Sequence, residues 1–177
     1  GSAITGVGSK SYWKVIWERL AGDAEVSYID VENMESNESE DIDEVGVYRE
    51  INKKLGISPV RLRYKPEGTI LKKCIIDEEQ RKAFLFYNYN NEIIRYTIYI
   101  NDTDSSLGQK NLDSLVEEYD IQNSNFNIHV QEYNIENTSR KRFIAEFEYQ
   151  NVQYQLKGVI DKNEFDKILE NLFLFEK

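Results

Sequence analysis

The chain has 177 residues, of which 40% are hydrophobic, 12% aromatic and 31% charged, so it is long enough for one domain with a well-buried core. Its formal net charge of −10 disfavours nucleic-acid binding, which needs a basic surface, and contact with an anionic membrane. The aromatic content argues against disorder of the whole chain, and one cysteine cannot form an intramolecular disulfide.

The first predicted element is a helix over residues 11–21. Its large apolar side chains recur at helical spacing, Ser11 can cap its start, and Gly22 follows as a stop signal. The spacing predicts one apolar stripe, which we interpret as a core contact; a surface that binds a partner is the alternative.

The most acidic segment is residues 35–44, which carry six carboxylates. Such a run is typical of a solvated surface connection, because unpaired carboxylates are costly to bury. The rival hypothesis is a cation-dependent loop in which Asp41 and Asp43 supply oxygen ligands. The spacing fails the calcium-loop pattern, since Val45 stands at the third ligand position and Asn52 at the closing position.

A second helix is predicted over residues 45–55, ended by Gly56, after which the apolar period changes to two. A tight hairpin is predicted at Asn90-Asn91, because asparagine tolerates a positive φ. Residues 101–110 are predicted as a polar loop and residues 111–116 as a helical turn. Alternation predicts strands at residues 61–64, 69–76, 83–89, 93–100, 126–130, 143–149 and 152–158.

The end of the chain carries the strongest helix signal. Asp161 is a suitable N-cap, and Glu164 stands three residues later in the capping-box position. An apolar stripe follows at helical spacing, which we expect to be buried against the sheet: Phe165, Ile168, Leu169, Leu172 and Phe173.

These elements predict an α+β fold, an antiparallel sheet of hairpins with N-terminal helices and a C-terminal amphipathic helix packed on one face. Within a single domain overall, residues 1–46 form the N-terminal helix and acidic connection, and residues 47–177 form the α+β unit.

The sequence offers no catalytic constellation, so we expect no enzyme, no cofactor and no metal. His129 is the only histidine and has no cysteine partners, which argues against zinc and against a serine hydrolase triad. There is no phosphate-binding glycine loop. Cys74 alternates with Ile70 and Ile76 on a predicted strand, so we expect an ordinary buried side chain.

Four tyrosines on the predicted strands form the candidate partner surface. An exposed group of tyrosines would suit a glycan or protein surface, because each ring adds contact area and a hydroxyl. The alternative is that tyrosine is simply a favourable residue at half-buried strand positions. The four residues are Tyr87, Tyr89, Tyr99 and Tyr133.

The second half of the chain resembles a family of bacterial domains of unknown function, DUF4367. Two motifs carry the resemblance, which covers about residues 55–173. An aromatic hairpin ends in Tyr154, Leu156 and Gly158 before a short amphipathic helix, and Tyr64, Pro66 and Gly68 match the opening of the family. No catalytic residues are defined for this family, so none are assigned here.

The resemblance implies an extracytoplasmic domain of a Gram-positive bacterium, in proteins similar to anti-sigma factors or sporulation lipoproteins. We therefore expect a non-catalytic sensing or protein-interaction domain, held at the cell membrane only through a segment outside this chain. The alternative is a binding module for cell-wall glycan, lipid or peptide. The expected partner is a protein or a cell-wall ligand.

Overall fold

The computed structural model describes the backbone of residues 12–16 and 26–30 and the whole of residues 43–100 and 114–175. Most of the described chain is antiparallel strand, with two helices, which is the expected α+β class. In chain order the elements are β1 (Tyr12–Ile16), β2 (Val26–Asp30), α1 (Glu44–Leu55), β3 (Val60–Leu62), β4 (Ile70–Asp77), β5 (Lys82–Tyr89), β6 (Glu92–Ile100), β7 (Ser114–Gln122), β8 (Asn127–Asn134), β9 (Lys141–Tyr149), β10 (Val152–Val159), α2 (Lys162–Glu170) and β11 (Leu172–Leu174).

The main sheet has seven strands in the order β4-β5-β6-β10-β9-β8-β7. Two of its hairpins turn through pairs of residues with positive φ, as two-residue hairpin turns of type I′ require. These pairs are Asn90-Asn91, with φ of 50° and 63°, and Gln150-Asn151, with φ of 51° and 65°. The predicted hairpin at Asn90-Asn91 is confirmed. Two further pairs, β3 with β11 and β1 with β2, form separate two-stranded ladders.

Both helices pack on the same face of this sheet, here called the first face. Their buried side chains join one apolar cluster with the alternate residues of the strands beneath. Phe165 of α2 is fully buried, and its ring stacks on Phe143 of β9 at a centroid distance of 5.2 Å. Cys74 is buried in the same cluster, as expected. Gly56 ends α1 with a φ of 68°, which suits glycine.

The end of α2 differs from the prediction. Phe165, Ile168 and Leu172 are buried as expected, but the helix ends at Glu170, and the chain continues as β11 beside β3. Phe173 is therefore only half-buried, with the guanidinium groups of Arg61 and Arg63 at 5.2 and 4.3 Å from its ring centroid.

The expected capping box at the start of α2 is not formed. Asp161 is the N-cap, but its side chain makes no capping hydrogen bond. The Glu164 carboxylate instead accepts a hydrogen bond of 2.6 Å from the hydroxyl of Tyr64. Glu164 therefore ties α2 to the segment after β3, a long-range contact that local spacing does not indicate.

The prediction of a helix over residues 11–21 is wrong, because Tyr12–Ile16 is a strand that pairs antiparallel with Val26–Asp30. The short run Tyr-Trp-Lys-Val-Ile is rich in aromatic and β-branched residues, which favour strands, and a short apolar run fits either period. Residues 31–42, which hold most of the acidic segment, lie outside the described residues. Glu44, the last residue of the acidic segment, is the first residue of α1. The expected boundary between residues 1–46 and 47–177 therefore falls inside this helix.

Strand β7 was not predicted from the sequence. The turn expected at residues 111–116 is in part the start of this nine-residue strand, and the loop expected at residues 101–110 lies outside the described residues. A β-bulge between Leu115 and Glu117 interrupts the alternation of side chains, which hides the period from a sequence reading. This strand forms one edge of the main sheet.

Candidate functional site

The structure does not bring the four candidate tyrosines together on an exposed surface. Tyr87, Tyr99 and Tyr133 are all buried, with at most 6% of each residue exposed, and Tyr89 is half-buried. Tyr87 belongs to the core of the first face, whereas Tyr99 and Tyr133 alternate toward the other, second face. The expectation of an exposed group of tyrosines is therefore wrong, because three of the four strand positions are covered.

Tyr87 instead holds α1 on the sheet. Its hydroxyl donates to the Glu44 carboxylate at 2.8 Å and lies 3.1 Å from the hydroxyl of Tyr48, while Lys65 pairs with Glu44 at 2.8 Å. Burial, more than the neighbouring charges, raises the pKa of Tyr87 well above its ordinary value. Both hydroxyls therefore stay protonated and act as structural hydrogen-bonding groups.

Among the helices and strands whose side chains the structure describes, β7 is the most exposed. Leu115 and Val116 are 50% and 47% exposed, and seven of the nine residues of the strand are exposed. Among the described strands, β7 pairs only with β8. An edge strand of this kind presents backbone N–H and C=O groups that an extended segment of another chain can pair with.

Contacts with α2 hold the first-face side chains of β7. The Tyr119 hydroxyl donates to the Asp166 carboxylate at 2.6 Å, and the Lys162 ammonium pairs with Glu117 at 3.1 Å. The same ammonium lies 4.6 Å from the centre of the Tyr119 ring. These contacts fix the position of the strand without covering its outer edge.

The second face of β7 carries a small network around the only histidine. Nδ1 of His129 lies 2.9 Å from Asp120, and its Nε2 lies 3.3 Å from Glu118. Gln131 donates a further hydrogen bond of 2.8 Å to Glu118. The side chains of His129, Glu118 and Asp120 are 47%, 46% and 57% exposed, so solvent screens the network.

The charges in this network favour a protonated imidazole. The hydrogen bond to Asp120, aided by Glu118, raises the pKa of His129 from its ordinary value, although partial burial opposes the shift. Hydrogen bonds from Gln131 and His129 lower the pKa of Glu118. Glu146 on β9 is the ladder neighbour of His129 on β8, and it is also exposed. This corner of the second face is therefore acidic.

We call the outer edge of β7 and its second-face network, formed by Leu115, Glu118, Asp120 and His129, the β7 surface. Within residues 43–100 and 114–175 no group of three or more histidine, cysteine, aspartate or glutamate side chains is arranged to hold a metal ion. Likewise, no helix in the described part of the chain is long and apolar enough to cross a membrane.

From the sequence, His129 entered only as an argument against a metal or hydrolase site. A usable signal was present, because Glu118 and Asp120 alternate with Tyr119 and Ile121 at the two-residue period of a half-buried strand. What the sequence could not give is the pairing of Asp120 with His129, which depends on the register of β7 against β8.

Comparison with known proteins gives one family. The model of DUF4367, a domain of unknown function, matches residues 59–172, which is more than half of the chain. No curated protein and no solved structure matches. The matched range begins just before β3 and ends at the first residue of β11, so it contains the whole main sheet and α2. The chain therefore belongs to the DUF4367 family of domains of unknown function.

Proposed function

We propose that this chain is a non-catalytic protein-interaction domain that binds an extended basic segment of a partner protein along β7. The observation that carries the proposal is the exposed outer edge of β7, next to the acidic side chains of its second face. Backbone hydrogen bonds along the edge would supply affinity, and the carboxylates would select the partner.

Charge decides which occupant fits the β7 surface. A second copy of β7 is a poor partner, because Glu117, Glu118 and Asp120 would meet like charges across the ladder, which is destabilising. The same carboxylates repel an acidic strand, and charged side chains on an edge strand are a common protection against aggregation. A strand with lysine or arginine at every second position offers opposite charges to Glu118 and Asp120 and removes the repulsion.

The proposal predicts salt-sensitive binding of a fluorescent peptide of alternating lysine and valine. Replacing Glu118 and Asp120 together by lysine should weaken binding by about tenfold or more, as expected when two close charge pairs become repulsive. Fluorescence anisotropy at low and physiological salt measures the effect, and salt should weaken the binding of the unmodified protein.

The matched control replaces Glu67 and Glu78 by lysine, two exposed turn residues outside β7, so that net charge changes equally. Affinity should then stay within about twofold of the unmodified protein, because distant exposed charges are screened. An equal loss in both variants would mean that the peptide responds to net charge alone, and the proposal would be wrong.

We also expect the binding to depend on pH through His129. Because Asp120 and Glu118 raise its pKa, the imidazolium that forms as pH falls through this raised value adds a positive charge between the two carboxylates. Affinity for the basic peptide should therefore rise from pH 6 to pH 8. In the variant His129→Asn this dependence should disappear, whereas an unchanged pH profile would show that His129 does not control the surface.

The raised pKa of His129 also determines how folding stability changes with pH. A raised pKa in the folded state contributes stability at pH values below the ordinary value of 6.5, and this contribution is lost as pH rises through the folded value. Peptide affinity and this part of the stability should thus change in opposite directions with pH.

We propose an extracytoplasmic location as well, at the membrane of a Gram-positive bacterium through a segment outside this chain. The support is the resemblance to extracytoplasmic domains of anti-sigma-like and sporulation proteins. Protease accessibility of the natural protein in intact cells stripped of their wall tests the location. Protection until the membrane is broken would contradict it.

A further inference from the structure

Two arginines lie around one aromatic ring on the outer side of the β3-β11 ladder. Phe173 is the ladder partner of Arg61, and the guanidinium groups of Arg61 and Arg63 lie 5.2 and 4.3 Å from the centre of its ring. Val60 and Leu62, which alternate with Arg61 along β3, are buried in the core. Arg61 therefore faces away from the main sheet, and Arg63 beyond the end of the strand is exposed.

Arg61 is held in place by rings and not by hydrogen bonds. Its guanidinium carbon lies 5.1 Å from the centre of the Tyr48 ring on α1 and 5.2 Å from that of Phe173. Its Nε atom is buried and has no hydrogen-bond partner, whereas its two terminal nitrogens reach solvent. Contacts of a guanidinium with aromatic rings position the group and leave its terminal N–H groups available to a ligand.

Neither arginine is neutralised by a carboxylate of the described chain, although aspartate and glutamate outnumber lysine and arginine by 32 to 22 in the sequence. The carboxylates of the adjoining segments have other partners, since Glu44 pairs with Lys65 and Glu164 accepts the hydrogen bond from Tyr64. Two like charges beside one ring repel each other, and a bound anion removes this repulsion. The pair therefore has the charge and the free donors of an anion site.

We propose that Arg61 and Arg63 form a binding site for a small dianion, either a phosphate monoester or a dicarboxylate. A planar guanidinium donates two parallel hydrogen bonds to a carboxylate or a phosphate group, and two guanidinium groups match two negative charges. A phosphate monoester carries a charge of about −1.5 to −2 at neutral pH. The site shares no residue with the β7 surface and does not depend on the function proposed for that surface.

The test is a protein-observed NMR titration at neutral pH with two matched pairs of probes. Methyl phosphate is compared with the singly charged dimethyl phosphate, and succinate with the singly charged succinamate. We expect at least one dianion to bind at millimolar concentration and to shift the amide signals of β3 and β11, and its singly charged counterpart to bind about tenfold more weakly. The tighter dianion identifies a phosphate or a dicarboxylate as the ligand. Equal affinities within both pairs, or no shift of β3 and β11 with either dianion, would overturn the proposal.

The variant Arg63→Gln removes one of the two charges at an exposed position, where the substitution leaves the core intact. Affinity for the tighter dianion should fall about tenfold or more, because a charged hydrogen-bond donor is lost. Arg81→Gln, at an exposed position in the turn between β4 and β5, is the control and should change affinity by no more than about twofold. Equal losses in the two variants would mean that the dianion responds to net charge alone, and the site would be disproved.

The variant Arg61→Lys keeps the charge and removes the planar fork. Affinity for the dianion should fall about fivefold or more, because an ammonium group is a point charge and cannot donate two parallel hydrogen bonds. The melting temperature of the ligand-free variant separates binding from packing. A lower melting temperature with unchanged affinity would assign Arg61 only to the contacts with Tyr48 and Phe173, and the proposal would be wrong.

Discussion

Replacing Phe165 by alanine should lower the free energy of unfolding by about 3–5 kcal/mol, the range found when a large aromatic residue is removed from a core. Phe165 is fully buried beneath α2 and stacks on Phe143 of β9, so the shortened side chain leaves a cavity between helix and sheet. In a domain of this size that loss corresponds to a melting temperature lower by about 6–20 °C.

Circular dichroism at increasing temperature measures the shift, and Leu115→Ala is the control. Leu115 is 50% exposed on β7, so its truncation should change stability by no more than about 0.5 kcal/mol. If the two variants melted within a degree of each other, the packing of α2 on the sheet would be disproved.

Replacing Gly158 by valine should cost about 3 kcal/mol, at the upper end of the usual cost of overpacking a core. Gly158 lies on β10 beside Ile94 of the neighbouring strand β6. A Cβ atom placed on Gly158 would stand 3.0 Å from Cγ1 of Ile94 and 3.4 Å from its Cα, and valine adds two methyl groups to this close approach. The glycine is thus required by the distance between the strands, since its φ is not in the left-handed region.

A double-variant cycle separates this clash from a general loss of stability. Ile94→Ala alone should be destabilising because it removes a buried side chain, but it should make Gly158→Val much less costly than in the unmodified protein. Chemical denaturation of the four proteins gives the coupling energy. Strictly additive costs would mean that Ile94 is not the residue that excludes a side chain at position 158.

The sequence was most informative where one period continues without interruption. The alternation over β5, β6, β9 and β10 predicted their strands to within a few residues, and the stripe of α2 predicted a helix buried at Phe165 and Ile168. Both signals are local, because each element buries one face and the other remains in contact with water. The hairpin turn at Asn90-Asn91 was predictable for the same reason, since the positive φ that the turn requires depends only on the two residues themselves.

The parts that the sequence did not predict depend on distant pairing. β11 forms because it pairs with β3, which lies more than a hundred residues earlier in the chain. Without knowledge of that pairing, the spacing of Phe173 fits a further turn of α2. The bulge at Leu115 broke the alternation of β7. Tyr87 is buried because α1 packs on it, which is a tertiary contact. His129 lies between Asp120 and Glu118 because of the register of β7 against β8. No short sequence pattern contains either kind of information.

Amide hydrogen exchange in the presence of the lysine-valine peptide tests most directly whether β7 receives a basic strand along its outer edge. A strand added there must pair with β7 amides that β8 does not use, so exchange should slow within Ser114–Gln122. β4, the strand at the opposite edge of the same sheet, is an internal control and should exchange at an unchanged rate. Slower exchange confined to β7 is the result we expect, whereas protection at β4, or none at β7 under saturating peptide, would contradict the account.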